Sequence, residues 1–296
     1  MRLDDLDPTQ HARDLGSGGG GGGGFGLLGL LPLLLGRGMG CGGIALIGIV
    51  ALVYFAIGGG GGMLGTTGGS AGKSPTAGQS GASVCQATPE RLEACRVMTS
   101  TEQTWGPIFE AAGKRYTPAT INFFTGGAQT GCGAATSAVG PFYCPGDNGV
   151  YLDTAFFGEL ERRFGAKGDF ARDYVIAHEV GHHVQNLLGT SGEVSRAQAQ
   201  GSRTEGNRLS VLLELQADCY AGVWAGRNRN RLEPGDIEEG MTAANAIGDD
   251  TLQKEAQGRV VPDSFTHGTS AQRMQWLKRG LDSGDPAQCD TFAAAS

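Results

Sequence analysis

His178-Glu179-Val180-Gly181-His182 decides how this chain reads. Residues four apart on an α-helix share a face, so the two imidazoles can meet on one zinc ion. Glu179 is turned about one step round the helix, where it reaches a metal-activated water rather than the metal and can take its proton. Two histidines do not complete such a site. Catalytic zinc takes three protein ligands and keeps a further position for water, so a third His, Asp or Glu must come from elsewhere. His183 lies roughly 100° round the helix from His182 and is expected at the surface or supporting the site, not on the metal.

The third ligand is expected in residues 209–224, a helix-length stretch that is apolar nearly all round and free of Lys and Arg. Such a helix is buried. Carboxylates inside it are costly unless paired, and no basic residue of the stretch can neutralise Glu214 or Asp218. A metal can. The two acids are four apart and share a face: with Glu214 as third ligand, Asp218 reaches the far ring nitrogen of a ligand histidine and orients it. The competing reading of these acids is an inter-helix salt bridge or a solvated face.

Three further stretches give the chain a resemblance. Glu214-Leu215-Gln216-Ala217-Asp218-Cys219, Phe265-Thr266-His267-Gly268-Thr269-Ser270-Ala271-Gln272-Arg273 and Ala246-Ile247-Gly248-Asp249-Asp250 stand beside the zinc motif, with Cys289-Asp290-Thr291-Phe292 at the end. Together they resemble the bacterial family called putative neutral zinc metallopeptidases, closely over about residues 83–294 and loosely over the Gly-rich leader. The resemblance implies metallopeptidase chemistry without a substrate. His-Glu-x-x-His followed by Glu-x-x-x-Asp is also similar to the gluzincin pattern, which supports the same ligand set.

Glycine sets out the rest of the chain. Residues 18–24 are seven consecutive glycines and residues 58–62 are five, the latter running into Gly, Ser, Thr and Ala up to about residue 82. Such tracts are flexible tethers with no core. Between them residues 38–57 carry no charge and have the length of a membrane-crossing helix, while the apolar run from Phe25 to Leu35 is too short to span alone. Arg2, Arg13 and Arg37 precede the span and no Lys or Arg follows before Lys73. The positive-inside rule then sets a cytoplasmic N-terminus and an outward-facing domain, periplasmic or extracellular, on a single-pass bacterial membrane protein. A cleaved signal peptide is the alternative. The expected layout is a cytoplasmic Gly-rich leader over 1–37, a transmembrane helix over 38–57, a linker over 58–82 and a metallopeptidase domain over 83–296.

Cysteine usage agrees with an oxidising compartment. With Cys41 inside the apolar segment, six remain, and the expected pairing is Cys85–Cys95 and Cys132–Cys144, which close short loops, and Cys219–Cys289, which would staple the ligand helix to the C-terminus. Reduced, buried thiols are the alternative.

The domain reads as α+β and zincin-like, mostly helical with a small antiparallel sheet. Pro89 to Ala112 is helical, with Pro107 expected to break it. Residues 119–125, 141–144 and 149–153 are strand-like, the last two joined by the turn Pro145-Gly146-Asp147-Asn148. Gly126 to Val139 reads as loop. Phe170 to Leu188 is the zinc helix, with Asp169 as N-cap, Gly189 as stop and Gly181 admitting a second helix. A polar stretch follows over 192–206, then further helices near 234–247 and 269–280.

The activity these residues imply is peptide hydrolysis in the cell envelope. One Zn²⁺ per chain would be held by His178, His182 and Glu214, with Glu179 as general base. A strand within 119–153 would hold an extended peptide, and His267 would donate to the tetrahedral oxyanion. For His267, helix capping or a structural role competes. A zinc-binding scaffold without turnover is the alternative for the whole domain, against which an intact Glu179 argues. An intramembrane protease is disfavoured by the polar residues of 170–188. The formal charge of −7 and the absence of a basic patch argue against nucleic acid as partner; peptide, protein and membrane remain.

Overall fold

A computed structural model describes residues 1–17 and 81–295. The expected transmembrane helix over 38–57, most of both Gly-rich tracts and Cys41 lie outside the described residues. Among the described residues no helix is long and apolar enough to cross a membrane.

The first seventeen residues belong to the folded domain, which corrects the expectation of a non-globular leader over 1–37. Met1 and Leu3 are buried in the main core, and β1 (Ala12–Ser17) pairs in parallel with β2 (Thr120–Thr125), Ala12 opposite Ile121. The terminal ammonium of Met1 donates to Asp169 Oδ2 at 2.6 Å. An uncut single pass between residues 17 and 81 would set β1 and β2 on opposite faces of a bilayer, where strands cannot pair. β1 buries only Ala12 fully and is bound mainly through its backbone, so no alternation of apolar side chains betrays it.

The sheet is also not the antiparallel one expected. Its order is β1-β2-β6-β5, with β6 (Gly149–Leu152) parallel to β2 and β5 (Phe142–Cys144) antiparallel to β6 at one edge. The hairpin β5–β6 forms across the expected turn. Residues 126–148 are long enough for the return that a parallel β2–β6 pair requires. Within them the expected loop contains a small hairpin of its own, β3 (Gly127–Thr130) with β4 (Gly133–Thr136). The structure joins Cys85 to Cys95, Cys132 to Cys144 and Cys219 to Cys289.

Helices supply the remainder. The short α1 (Gly81–Cys85) leads into α2 (Pro89–Ala111), which Pro107 does not break. Gln103, whose carbonyl loses its partner there, faces solvent, and buried Trp105 and Phe109 pin the helix on both sides of the proline. Then come α3 (Ala155–Phe164), α4 (Asp169–Leu188), α5 (Thr190–Gln200), α6 (Arg203–Arg227), α7 (Asp236–Ala246), α8 (Asp249–Gln257) and α9 (Ser270–Ser283). α3, α5 and α8 were not anticipated; α5 occupies much of the supposed polar connection. Gly168, not Asp169, precedes the first turn of α4, and Gly189 ends it in the left-handed region at φ 89°.

Two close crossings place the site. A Cβ on Gly181 of α4 would stand 2.8 Å from the carbonyl oxygen of Ala217 on α6, so only glycine admits this approach. Gly222 of α6 and Gly280 of α9 likewise bring backbone onto backbone. The core between them stacks Phe170 on Trp224, with ring centroids 6.0 Å apart.

Gly181→Val is expected to force α4 and α6 apart. Overpacking should cost about 1–3 kcal/mol in chemical denaturation and lower the zinc content measured by atomic absorption. Parental stability and zinc content together would contradict the crossing.

Asp173, on α4, is buried, and its Oδ1 has no hydrogen-bond partner. Burial, reinforced by Glu93, pushes its carboxyl well above the usual range. Its proton thus binds more tightly in the folded state. That contribution is full below the unfolded value near pH 4 and is lost as pH rises through the raised folded value. Asp173→Asn should raise the melting temperature at pH 7 by about 2–4 °C and make little difference near pH 4. Calorimetry at both pH values checks this, and a lower melting temperature at pH 7 would contradict it.

Candidate metal centre

α4 and α6 cross where their acids and histidines face one another. His178 Nε2 lies 3.1 Å from Glu214 Oε2, and His182 Nε2 lies 3.4 Å from Glu214 Oε1. The two rings stand nearly perpendicular, centroids 4.8 Å apart. One donor atom from each of His178, His182 and Glu214 falls within 4.8 Å of the others, a spread that a single tetrahedral ion can gather. All three residues are buried, and the donor set of two imidazoles and a carboxylate suits zinc.

Each histidine is also held from behind. His178 Nδ1 lies 2.8 Å from Asp218 Oδ1, the contact expected from the four-residue spacing of Glu214 and Asp218. His182 Nδ1 lies 2.9 Å from Gln185 Oε1; Gln185 in turn donates to Leu213 O and to Gln216 Oε1. With the far nitrogens so occupied, both Nε2 atoms turn toward Glu214. Burial pushes the His178 pKa down, but Asp218 and Glu214 outweigh it and lift it to about 10. A divalent cation bound by His178 and Glu214 would compete with the proton for His178 Nε2.

Arg273 completes this arrangement and was not singled out by residue chemistry, only as the end of a resembling segment. It is 2% exposed. Its Nε and Nη2 donate to the two carboxylate oxygens of Asp218, both at 2.9 Å, and Nη1 donates to Ile247 O. Tyr174 adds a hydroxyl at 2.6 Å from Asp218 Oδ1. Burial works against the Asp218 charge, but Arg273 and His178 prevail and hold its pKa down at about 2. Asp218 thus contacts both Arg273 and His178, because one carboxylate has acceptor sites enough for both.

Glu179 borders the cavity beside these donors, and no hydrogen bond to a described residue engages its carboxylate. Burial pushes its pKa up. His267 reaches the same place from the segment before α9. Its Nδ1 lies 3.1 Å from Thr266 Oγ1 and 3.4 Å from Asp249 Oδ1, which leaves Nε2 as the ring's other polar atom. Asp249, wholly buried, accepts at Oδ2 from the backbone N–H groups of Thr266, His267 and Gly268 and so fixes the loop that carries the ring. Burial lowers the His267 pKa, but Glu214 and Asp249 outweigh it and raise it.

His183 is neither at the surface nor at the metal donors, which corrects half of its expectation. It is fully buried, with Nδ1 3.0 Å from Tyr143 Oη and Nε2 2.6 Å from Thr117 O, and so ties α4 to the edge strand β5. Asn186 adds a bond to the same Tyr143 hydroxyl.

Two cavities flank the donors. One, of about 140 Å³, is walled by Pro141, Phe142, Phe156, Val175, Ile247 and Leu252; the other, of about 100 Å³, by Tyr143, Ser191, Ser195, Gln198, Ser210 and Thr266. His182, Glu214 and His267 border both. A wider hollow of about 520 Å³ beside Arg208 and Gln272 touches none of the donors.

The sequence has known relatives. The profile of the family described as "Putative neutral zinc metallopeptidase" matches residues 4–292, which takes in the N-terminal segment as well as the domain. A protein of Escherichia coli K12 named "Uncharacterized protein YpfJ" is 57% identical over 198 residues, 66% of this chain and 69% of the relative. "Uncharacterized protein Mb2605" of Mycobacterium bovis and "Uncharacterized protein Rv2575" of Mycobacterium tuberculosis are each 45% identical over 225 residues, 71% of this chain and 74% of the relative. No solved structure matches. With the family profile running almost from end to end, the chain belongs to the family of putative neutral zinc metallopeptidases.

Proposed function

We propose that this protein is a zinc-dependent endopeptidase of the bacterial cell envelope. The observation that supports this best is the Glu179 carboxylate, buried at a cavity wall beside His178, His182 and Glu214 and hydrogen-bonded to no described residue. One Zn²⁺ held by those three residues would supply a Lewis acid that lowers the pKa of water and polarises a peptide carbonyl. Glu179 takes the proton of the attacking water and passes it to the leaving amine. Its burial raises proton affinity, which suits a group that must hold a proton between those two events. His267 donates to the developing oxyanion through the ring nitrogen that Asp249 and Thr266 leave open. Asp218 and Gln185 keep the ligand imidazoles in register, and Arg273 keeps Asp218 charged.

Glu179→Gln preserves the shape of the side chain but cannot accept a proton. It is expected to retain one zinc per chain and to lose peptide hydrolysis by about two to four orders of magnitude. Glu214→Ala should lose the metal itself. His267→Ala should keep zinc and lower turnover by roughly a hundredfold or more. Zinc assay and cleavage of a broad peptide mixture check all three. A Glu179→Gln protein as active as the parent, or a parent that binds zinc and cleaves nothing, would leave a zinc-binding scaffold instead.

The place of action belongs to the same proposal. The apolar stretch over 38–57 attaches the chain to the membrane, and three disulfides suit the oxidising side. Because β1 pairs with β2, residues 1–17 and the domain share that side, however the residues between them are held. Single cysteines at Asp4 and Ser296 should therefore both react with a membrane-impermeant reagent on intact spheroplasts, with the chain in the membrane fraction. Labelling at Ser296 with protection at Asp4 would restore the single-pass arrangement.

A further inference from the structure

We propose that Asp169, Asp173, Asp236 and Glu239 form a second cation site, separate from the zinc donors, which takes one calcium ion at the start of the zinc helix. Oxygen atoms of Asp169, Asp236 and Glu239 lie within 4.8 Å of one another. Asp169 opens α4 and Asp236 opens α7, so the group sits where two helices begin side by side. His178 lies further along α4, roughly 13 Å away, and the two sites share no ligand.

Two observations separate this cluster from a solvated acidic face. Asp173, one turn along α4 from Asp169, is 1% exposed, and its Oδ1 has no hydrogen-bond partner. It faces the same place: by charge alone it acts on the Met1 ammonium more strongly than Asp169 or Asp236 does. A buried carboxylate oxygen without a donor is costly, and a cation is the partner it lacks. The second observation is the ammonium itself, a cation already held here, 2.6 Å from Asp169 Oδ2 and 3.4 Å from Asp236 Oδ2.

Charge and room favour a divalent ion over that ammonium. Four carboxyl groups surround one positive charge, and the nearby Arg172 is taken up by Glu93 through two bonds of 2.9 and 2.8 Å. Burial and neighbouring carboxylates raise the pKa of both Asp173 and Glu239, as expected where negative charge is under-matched. Gly168 provides the room. A Cβ there would stand 1.9 Å from the Glu239 carboxyl carbon, so the missing side chain lets Glu239 come over the start of α4. The donors are all oxygens, without imidazole or thiolate, which selects a hard cation. Calcium gathers roughly six to eight oxygens in flexible arrangements, whereas magnesium keeps several waters and is bound through one or two carboxylates. The Asp169 side chain, 42% exposed, leaves the ion a way in and water a place on it. Ion and ammonium are thus alternative occupants of one position.

The test is the melting temperature of the zinc-loaded full chain in detergent at pH 7, with and without about 10 mM CaCl2 at constant ionic strength, together with equilibrium dialysis against radioactive calcium. One ion per chain should bind, and calcium should raise the melting temperature by at least about 3 °C. The same concentration of MgCl2 should shift it by less than about 1 °C. Glu239→Gln should weaken calcium binding about tenfold or more while zinc content stays parental. Asp173→Asn should be more stable than the parent without calcium and yet show a calcium shift of about 1 °C or less, a combination that a packing role does not produce. No calcium bound, an equal shift with magnesium, or an undiminished calcium response in either variant would overturn the site. If Glu239→Gln does not fold, Asp173→Asn decides alone.

Discussion

The pairing of Asp218 with Arg273 is the constraint on which the rest of the centre depends. A carboxylate at no measurable exposure in the core must be neutralised, and Arg273 does so with two parallel N–H bonds, a geometry that lysine cannot reproduce. Removing one partner of such a pair leaves an uncompensated buried charge, a loss of about 3–5 kcal/mol. The same carboxylate then has acceptor sites left for Tyr174 and His178. Stability and ligand orientation therefore rest on one group, and neither can be altered without the other.

The C-terminal third supports both histidines by separate routes. Arg273, on α9, reaches His178 through Asp218. Cys289 carbonyl accepts from Gln216, which bonds Gln185, which in turn meets His182. The Cys219–Cys289 disulfide begins one residue beyond Asp218 and closes the second route onto the first. Glycines at the α4–α6 and α6–α9 crossings shorten the distances over which these side chains act. A site built this way has its ligand geometry fixed before any ion arrives, which reduces the reorganisation required on binding.

The N-terminal segment enters this picture at the other end of the zinc helix. The Met1 ammonium bonds Asp169 in the first turn of α4 and lies near Asp236 and the buried Asp173, where carboxylates outnumber cations. β1 extends the sheet whose far edge is β5. The segment thus touches both elements that frame the cleft, the helix at its start and the sheet at its opposite margin, without approaching the metal donors themselves.

Much of the centre was legible in the sequence because helical periodicity is a local rule. Spacing alone put His178 with His182 and Glu214 with Asp218, and the absence of basic residues from 209–224 required an outside partner for its acids. Short loops sufficed for the Cys85–Cys95 and Cys132–Cys144 pairs, and a glycine between two ligands sufficed for the helix crossing. Other features were decided only in three dimensions. Arg273 answers a charge 55 residues away, Asp249 is recognisable only by the loop amides it gathers, and His183 finds Tyr143 and Thr117 on other elements. β1 is held by backbone bonds from a polar segment, and the sheet is parallel where its strands are joined by a long return. Periodicity reports which face of an element is apolar. It carries no record of long-range backbone pairing or of which distant charge a buried group will meet, and those two facts were left to the tertiary structure.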